Sequence, residues 1–207
     1  MNKMEQDIIV VSRELLFQGR EFQGFLPAAK GNYFQHIQSH SRVLRRGEAE
    51  TNTAYKQPIG YVVLVHRPTR RIYTYQRSTT AAYEERRLAG KWAWGLGGHS
   101  EPCDEGHPVK TAVLRELLEE VGVVPDSLTL AGYINTDEDE VGQVHFGVLF
   151  IAETDNAITS KDPAVTQGKL LSIEEISTLP TAANVENWSI LALPAIKEHL
   201  ARFSRAQ

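Results

Sequence analysis

Cysteine is nearly missing from this chain. Cys103 is the only one, so no intramolecular disulfide can form and no cysteine-rich zinc site exists. Long apolar runs are missing too, which removes a membrane-spanning helix from the sequence reading. The opening MNKMEQDIIVVSRELL lacks the small-residue cleavage site of a signal peptide. A cytoplasmic protein with no membrane partner is therefore expected. Positive charge is not in excess, since 22 Lys and Arg against 26 Asp and Glu give a net charge of −4. Such a chain has no generic attraction to nucleic acid or anionic lipid, so a polyanionic ligand must be met locally. Neither an internal repeat nor a low-complexity segment is present. What is there is ordinary for a globular protein: 207 residues, 42% hydrophobic and 23% charged. That length fits one domain with a decorated end and a substantial core.

The chain is organised around Gly95 to Val123, GLGGHSEPCDEGHPVKTAVLRELLEEVGV. Glu116, Glu119 and Glu120 are spaced three and four apart, which puts their carboxylates on one side of a helix. Leu114, Leu117, Leu118 and Val121 are expected to form its apolar arc. Pro108 suits the first turn and Gly122 the residue just past the C-terminus. Clustered carboxylates repel one another unless a cation sits among them, and hard divalent cations take oxygen ligands together with substrate phosphates. A solvated acidic face is the alternative. The lack of interleaved lysines counts against it, as does the glycine-rich turn that follows Trp92-Ala93-Trp94-Gly95-Leu96.

RELLEEVGV resembles the second half of the Nudix box: Arg-Glu, an aliphatic, any residue, Glu-Glu, any residue, Gly, an aliphatic. Every specified position is met. The first half departs from the pattern. Counting back from Arg115 puts His107 where the family has a glutamate and Glu101 where it has a glycine. Counting forward from Gly98 gives a loop with three extra residues, in which Asp104 or Glu105 would stand in for that glutamate. KQPIGYV, RLAGKW and VGQVHFG are similar to a bacterial Nudix group described mostly as predicted phosphoesterases.

Around this stretch the chain reads as strands and helices in alternation. Strands are expected at Ile8 to Val11, Ile59 to His66, Ile72 to Arg77, Trp92 to Leu96, Leu128 to Ile134 and Val144 to Ala152. Helices are expected from Tyr33 to Arg46, Ile173 to Leu179 and Trp188 to Phe203, the last kinked at Pro194. Arg42, Arg45 and Arg46 read as charge complementing the C-terminal dipole of the first of these helices. The pattern implies an α/β protein with a mixed sheet between helices. The resemblance implies the α/β/α sandwich of the Nudix fold over residues 56–207, with residues 1–55 an extension packed on that core. Family members often dimerise through such extensions, so a homodimer is one expectation.

The resemblance further implies hydrolysis of a diphosphate linked to another group, usually a nucleoside, with Mg²⁺ or Mn²⁺. Glu119 and Glu120 would be the main metal ligands, and Glu116 would bind a further metal or orient the attacking water. A backbone carbonyl at Gly97 or Gly98 would complete the shell. Arg115 looks like a phosphate clamp, yet the family uses it to brace the glutamates. Arg77, Arg86, Arg87 and Lys91 are better placed to meet phosphate, or else are ordinary surface charges. The run Asp137 to Glu140 would supply another acid, with Glu140 chosen, or would be a solvated turn. His99, Cys103 and His107 read as ordinary loop residues, because no fourth ligand completes a zinc site. Isopentenyl diphosphate isomerase is the competing enzyme, since TYQRS…GKWAWGLGGH is similar to its approach to the active site. That family places a catalytic cysteine where this chain has Gly97. A ligand-sensing Nudix regulator normally carries a DNA-binding domain, and no basic segment here is long enough for one.

Overall fold

The structure is a computed structural model that describes residues 2–79, 88–160 and 165–203. In chain order its elements are β1 (Asp7–Ser12), α1 (Arg13–Phe17), β2 (Gly24–Pro27), α2 (Tyr33–His40), β3 (Arg42–Arg45) and α3 (Arg46–Ala49). Then follow β4 (Tyr55–His66), β5 (Arg71–Arg77), β6 (Trp92–Ala93), β7 (Leu96–His99), α4 (Pro108–Val121) and β8 (Ser127–Asn135). The last are α5 (Glu140–Val144), β9 (His145–Thr154), β10 (Val165–Leu171), α6 (Ile173–Ala182) and α7 (Asn187–Phe203). The strand order is β10-β5-β4-β9-β8-β2; off this path β1 pairs with β3 and β4, β6 with β5, and β7 with β4. The β5–β10, β4–β5 and β2–β8 pairs are antiparallel, whereas Trp92 and Val185 bridge in parallel. This is the expected α/β class with a mixed sheet.

The chain divides into two compact units. The first comprises Met1–Tyr61, Gly97–Val113 and Leu130–Leu149. In it β1 lies between β3 and the start of β4, with Ile9 opposite Val43 and Val11 opposite Lys56. Phe17, Phe22, Tyr33, Tyr133 and Phe146 form an aromatic cluster with ring centroids 5.1–6.5 Å apart. The helix expected from Tyr33 to Arg46 stops at His40, because Ser41 is extended and the next four residues pair with β1. The basic cluster therefore does not complement a helix dipole. Arg45 pairs with Asp7, and Arg46 with Glu50.

The second unit comprises Val62–Leu96, Leu114–Thr129 and Phe150–Gln207. β5 runs through it between β10 and the end of β4, with Val65 opposite Ile72 and Leu170 opposite Tyr73. The strand expected from Trp92 to Leu96 is broken at Trp94-Gly95. Trp94 is fully buried, with its backbone N–H on Ser189 Oγ at 3.1 Å and its indole N–H on the Ser189 carbonyl at 2.7 Å. Tyr75 donates to the Gly95 carbonyl at 2.7 Å. These bonds replace ladder bonds and turn the chain out of the strand.

Two glycines of the first unit set the backbone before the acidic helix. A Cβ on Gly60 would lie 2.5 Å from Val113 Cγ2, so only bare backbone lets the first half of α4 approach β4 this closely. Gly97 has φ +137°, and a Cβ there would lie 1.8 Å from the Gly60 carbonyl oxygen. No side chain fits, and this is the position where the competing isomerase needs its cysteine. Gly97→Cys should lower the unfolding free energy by about 3 kcal/mol, from strained φ and backbone overlap together. Denaturant unfolding at wild-type stability would contradict this reading of the backbone.

Candidate active site

α4 begins with Pro108 in its first turn and ends as the sequence implies. Gly122 has φ +66°, its N–H bonds the Leu118 carbonyl, and Val123 N–H bonds the Leu117 carbonyl. The Gly122 bond is the single five-to-one bond of an αL closure, and the Val123 bond satisfies one more carbonyl of the last turn. The apolar face differs from the expected leucine arc. Leu117 and Val121 are buried, but Leu114 is 39% and Leu118 52% exposed. Val109, Ala112 and Val113 are buried instead. The arc is rotated because Gly60 draws Val113 inward, and 3.6 residues per turn then carry burial to Leu117 and Val121.

That rotation sets the acids. Glu116 and Glu120 fall on the flank of the buried face, whereas the Glu119 side chain is 60% exposed. Arg115 Nη1 lies 2.8 Å from Glu116 Oε1 and 3.6 Å from Glu119 Oε2, so one guanidinium spans two carboxylates. Across β5, burial pushes the Tyr73 phenol above its ordinary pKa, a hydrogen bond with Ser160 opposes this, and the Glu120 carboxylate raises it further. Arg115 offsets one of the three negative charges in its group. An all-oxygen donor set on a rigid helix with net charge of that sign fits a hard divalent cation.

The cations expected to meet phosphate fare differently. Arg77 ends β5 with Nη2 3.5 Å from Glu186 Oε1 and its guanidinium 5.1 Å from the Tyr75 ring centroid. Its N–H bonds the Lys91 carbonyl, so Arg77 and Lys91 are brought together with Glu186. Glu186 was not foreseen from the sequence. It precedes α7, where its N–H bonds the Trp92 carbonyl, a contact no local pattern signals. Arg86 and Arg87 lie outside the described residues.

Gly98 and Glu140 both belong to the first unit, in β7 and at the start of α5. The run Asp137 to Glu140 is not uniform. Asp139 caps α5, accepting from Gly142 N–H at 2.6 Å. Asp137 accepts from Arg13 at 2.7 Å, Lys56 at 2.9 Å and Gln23 at 3.0 Å. Glu138 and Glu140 are exposed. In the box loop Asp104 is buried and accepts from Glu101 N–H at 2.7 Å, while Glu105 is exposed.

His99, Cys103 and His107 are not assembled. Cys103 is exposed, and His107 stacks on Phe34 with its Nε2 2.8 Å from the Phe34 carbonyl oxygen. His99 instead meets two residues far away in sequence. His99 Nε2 lies 3.3 Å from His145 Nε2, and His145 Nε2 lies 3.9 Å from Glu50 Oε1. Among the described residues these three form a group whose ligand atoms all lie within 4.8 Å of one another, so it could hold a metal ion. No spacing rule marks them, since Glu50, His99 and His145 are separated by two long stretches of chain.

Residues 56–193 match the NUDIX domain. The chain is 30% identical over 203 residues to Protein YmaB of Bacillus subtilis (strain 168), covering 91% of this chain and 96% of that protein. The crystal structure of Tm1382, provisionally described as a Nudix hydrolase, superposes with a TM-score of 0.78 at 25% identity over 94% of this chain and 100% of that one. The NUDIX domain of Shewanella oneidensis NrtR, complexed with ADP ribose, shares the fold with a TM-score of 0.55 at 20% identity, covering 70% of this chain and 88% of that one. The chain belongs to the Nudix hydrolase family. No helix among the described residues is long and apolar enough to cross a membrane.

Proposed function

We propose that the protein hydrolyses the diphosphate linkage of a nucleoside diphosphate–X type substrate, using Mg²⁺ or Mn²⁺ and water attack on phosphorus. In this reading residues 56–207 form the hydrolase domain, residues 1–55 are its extension, and the reaction takes place in the cytoplasm. The observation that supports it most is Arg115 spanning Glu116 and Glu119 in a complete RELLEEVGV. A phosphoanhydride is already highly charged, so its nucleophile is repelled until that charge is offset. The bound divalent metal supplies that offset and lowers the pKa of its water.

The protein's own groups do the rest. By the family pattern Glu119, Glu120 and Glu116 would hold the metal together with the Gly98 carbonyl, and Glu116 would alternatively orient the attacking water. Arg115 keeps two of these carboxylates at fixed spacing, a positioning role. Glu140 supplies the further acid, as base or metal ligand. Its neighbours Asp137 and Asp139 are engaged in ion pairs and a helix cap, which favours it. Arg77, Arg86, Arg87 and Lys91 are assigned to substrate phosphate. Glu186 and Tyr75 then serve to aim the Arg77 guanidinium. Water adds to one phosphorus as Glu116 or Glu140 takes its proton, the bond from that phosphorus to the bridging oxygen breaks, and the other phosphate departs as an anion that keeps that oxygen.

A screen of nucleoside di- and triphosphates, dinucleoside polyphosphates, ADP-ribose and NADH with Mg²⁺ or Mn²⁺ tests this. ADP-ribose is included because the NrtR domain is complexed with it. Cleavage of at least one diphosphate, abolished by chelator, is expected. No cleavage of any member with either metal would count against the proposal.

A further inference from the structure

We propose that Glu50, His99 and His145 bind one divalent transition metal ion, of the imidazole-preferring kind that zinc exemplifies, and that this ion ties residues 1–55 to the Nudix domain. The proposal goes beyond the hydrolase reading, because none of its ligands lies in RELLEEVGV and its donors include two nitrogens.

The protonation pattern comes first. His145 Nδ1 lies 2.7 Å from the Val141 carbonyl oxygen, which can only accept, so Nδ1 carries the proton. In the neutral ring the Nε2 lone pair is then aimed at His99. Metal-binding histidines typically donate their other N–H to a carbonyl in this way.

Spacing comes second. Two nitrogens bound to one tetrahedral zinc-like ion at about 2.0–2.1 Å stand roughly 3.3–3.4 Å apart. The His99 and His145 Nε2 atoms are 3.3 Å apart, longer than the usual N–H hydrogen bond of about 2.9–3.0 Å. Glu50 Oε1, 3.9 Å from His145 Nε2, closes to a ligand edge with a small side-chain shift. Arg46 Nε bonds that same oxygen at 3.3 Å and steadies the carboxylate from outside.

The third observation is Gln57. It is fully buried, its Oε1 accepts from His99 Nε2 at 2.8 Å, so a metal takes that nitrogen only in the ring form with its proton on Nδ1, and its Nε2 has no hydrogen-bond partner among the described residues. A buried amide normally uses both ends. Gln57 has its carbonyl end turned to the histidines, where its oxygen supplies the fourth ligand or borders a bound water. Two nitrogens and carboxylate or amide oxygen suit zinc-like ions better than Mg²⁺. Glu50 follows α3 in the N-terminal segment, whereas His99 and His145 lie inside the family match, so the ion would cross-link the two.

The test uses the full chain, stripped with chelator and titrated with Co²⁺ and Zn²⁺. Co²⁺ should bind with the intense visible absorption of a four-coordinate, nitrogen-ligated site. Zn²⁺ at about 100 times its dissociation constant should raise the melting temperature by roughly 5–10 °C. Both responses should persist in Glu119→Gln/Glu120→Gln and disappear in His145→Asn and His99→Asn. Glu50→Gln should weaken binding by about 10-fold or more. A colourless Co²⁺ titration of the wild-type chain would overturn the proposal even if the histidine variants fail to fold. So would a signal lost with Glu119 and Glu120 but kept without His145. The substrate screen above is scored separately, so failure of the hydrolase reading leaves this result standing.

Discussion

Glu120→Gln is expected to lower turnover by at least about 100-fold, with Glu119→Gln close behind. In the proposed site each change removes one charged metal ligand and keeps the shape of the side chain. A loss of that size corresponds to roughly 2.7 kcal/mol of transition-state stabilisation, within the range for deleting one preorganised electrostatic group. The fold should survive. α4 is held by Val109, Ala112, Val113, Leu117 and Val121, all buried, and is closed by the Gly122 turn. Metal-free, the variants should melt no lower than wild type, because one of three like charges on the helix is gone. Full turnover in Glu120→Gln would remove α4 as the metal-binding helix.

Asp137→Asn should be the most destabilising single change among the acids, by about 3 kcal/mol. Lys56 is completely buried, with its ammonium on Asp137 Oδ1 at 2.9 Å and the Gly142 carbonyl at 2.6 Å. Arg13 reaches both oxygens of the same carboxylate. Removing that charge leaves a buried cation without its counter-ion, one of the few substitutions with a cost in this range. The pH dependence separates the two proteins. Burial alone would raise the Asp137 carboxyl, but Arg13 and Lys56 reverse this and hold it well below the usual carboxylate range. The folded value lies below the unfolded one, so the stabilisation is present above about pH 4 and is lost as the pH falls further. Asp137→Asn lacks this acid-sensitive part. Burial also lowers the Lys56 pKa, which Asp137 partly restores. Without Asp137 the ammonium gives up its proton more easily. The variant should therefore regain stability as the pH rises toward alkaline values, where wild type gains less. Chemical denaturation between pH 3 and pH 9 reads both effects; parallel curves for the two proteins would contradict them.

How much of this the sequence carried depends on range. α4 was legible with both ends, because Pro108, Gly122 and the acid spacing are local signals. Its buried side was misjudged. Leu114 and Leu118 are more hydrophobic than Ala112, yet Gly60 decides which side is drawn inward, and Gly60 lies far outside any local window of the helix. α2 was overextended, since nothing local says that Arg42 to Arg45 will pair with β1. The acidic run near Asp137 looked uniform because its four residues differ only in their partners, and those partners are Arg13, Lys56 and Gln23. In the chain the neighbours of His99 with ligand side chains are Cys103 and His107. Its neighbours in space are His145 and Gln57, through contacts that span more than forty residues. Catalytic motifs are short and local; the sites built by pairing distant segments are not.

Hydrolysis in isotopically labelled water tests the central reading most directly. With the substrate found in the screen and Mg²⁺ or Mn²⁺ present, the label should appear on a phosphoryl product, one atom per bond cleaved, if water attacks phosphorus as proposed. Label absent from every phosphoryl product, or a rearranged diphosphate released with no bond to phosphorus broken, would contradict it.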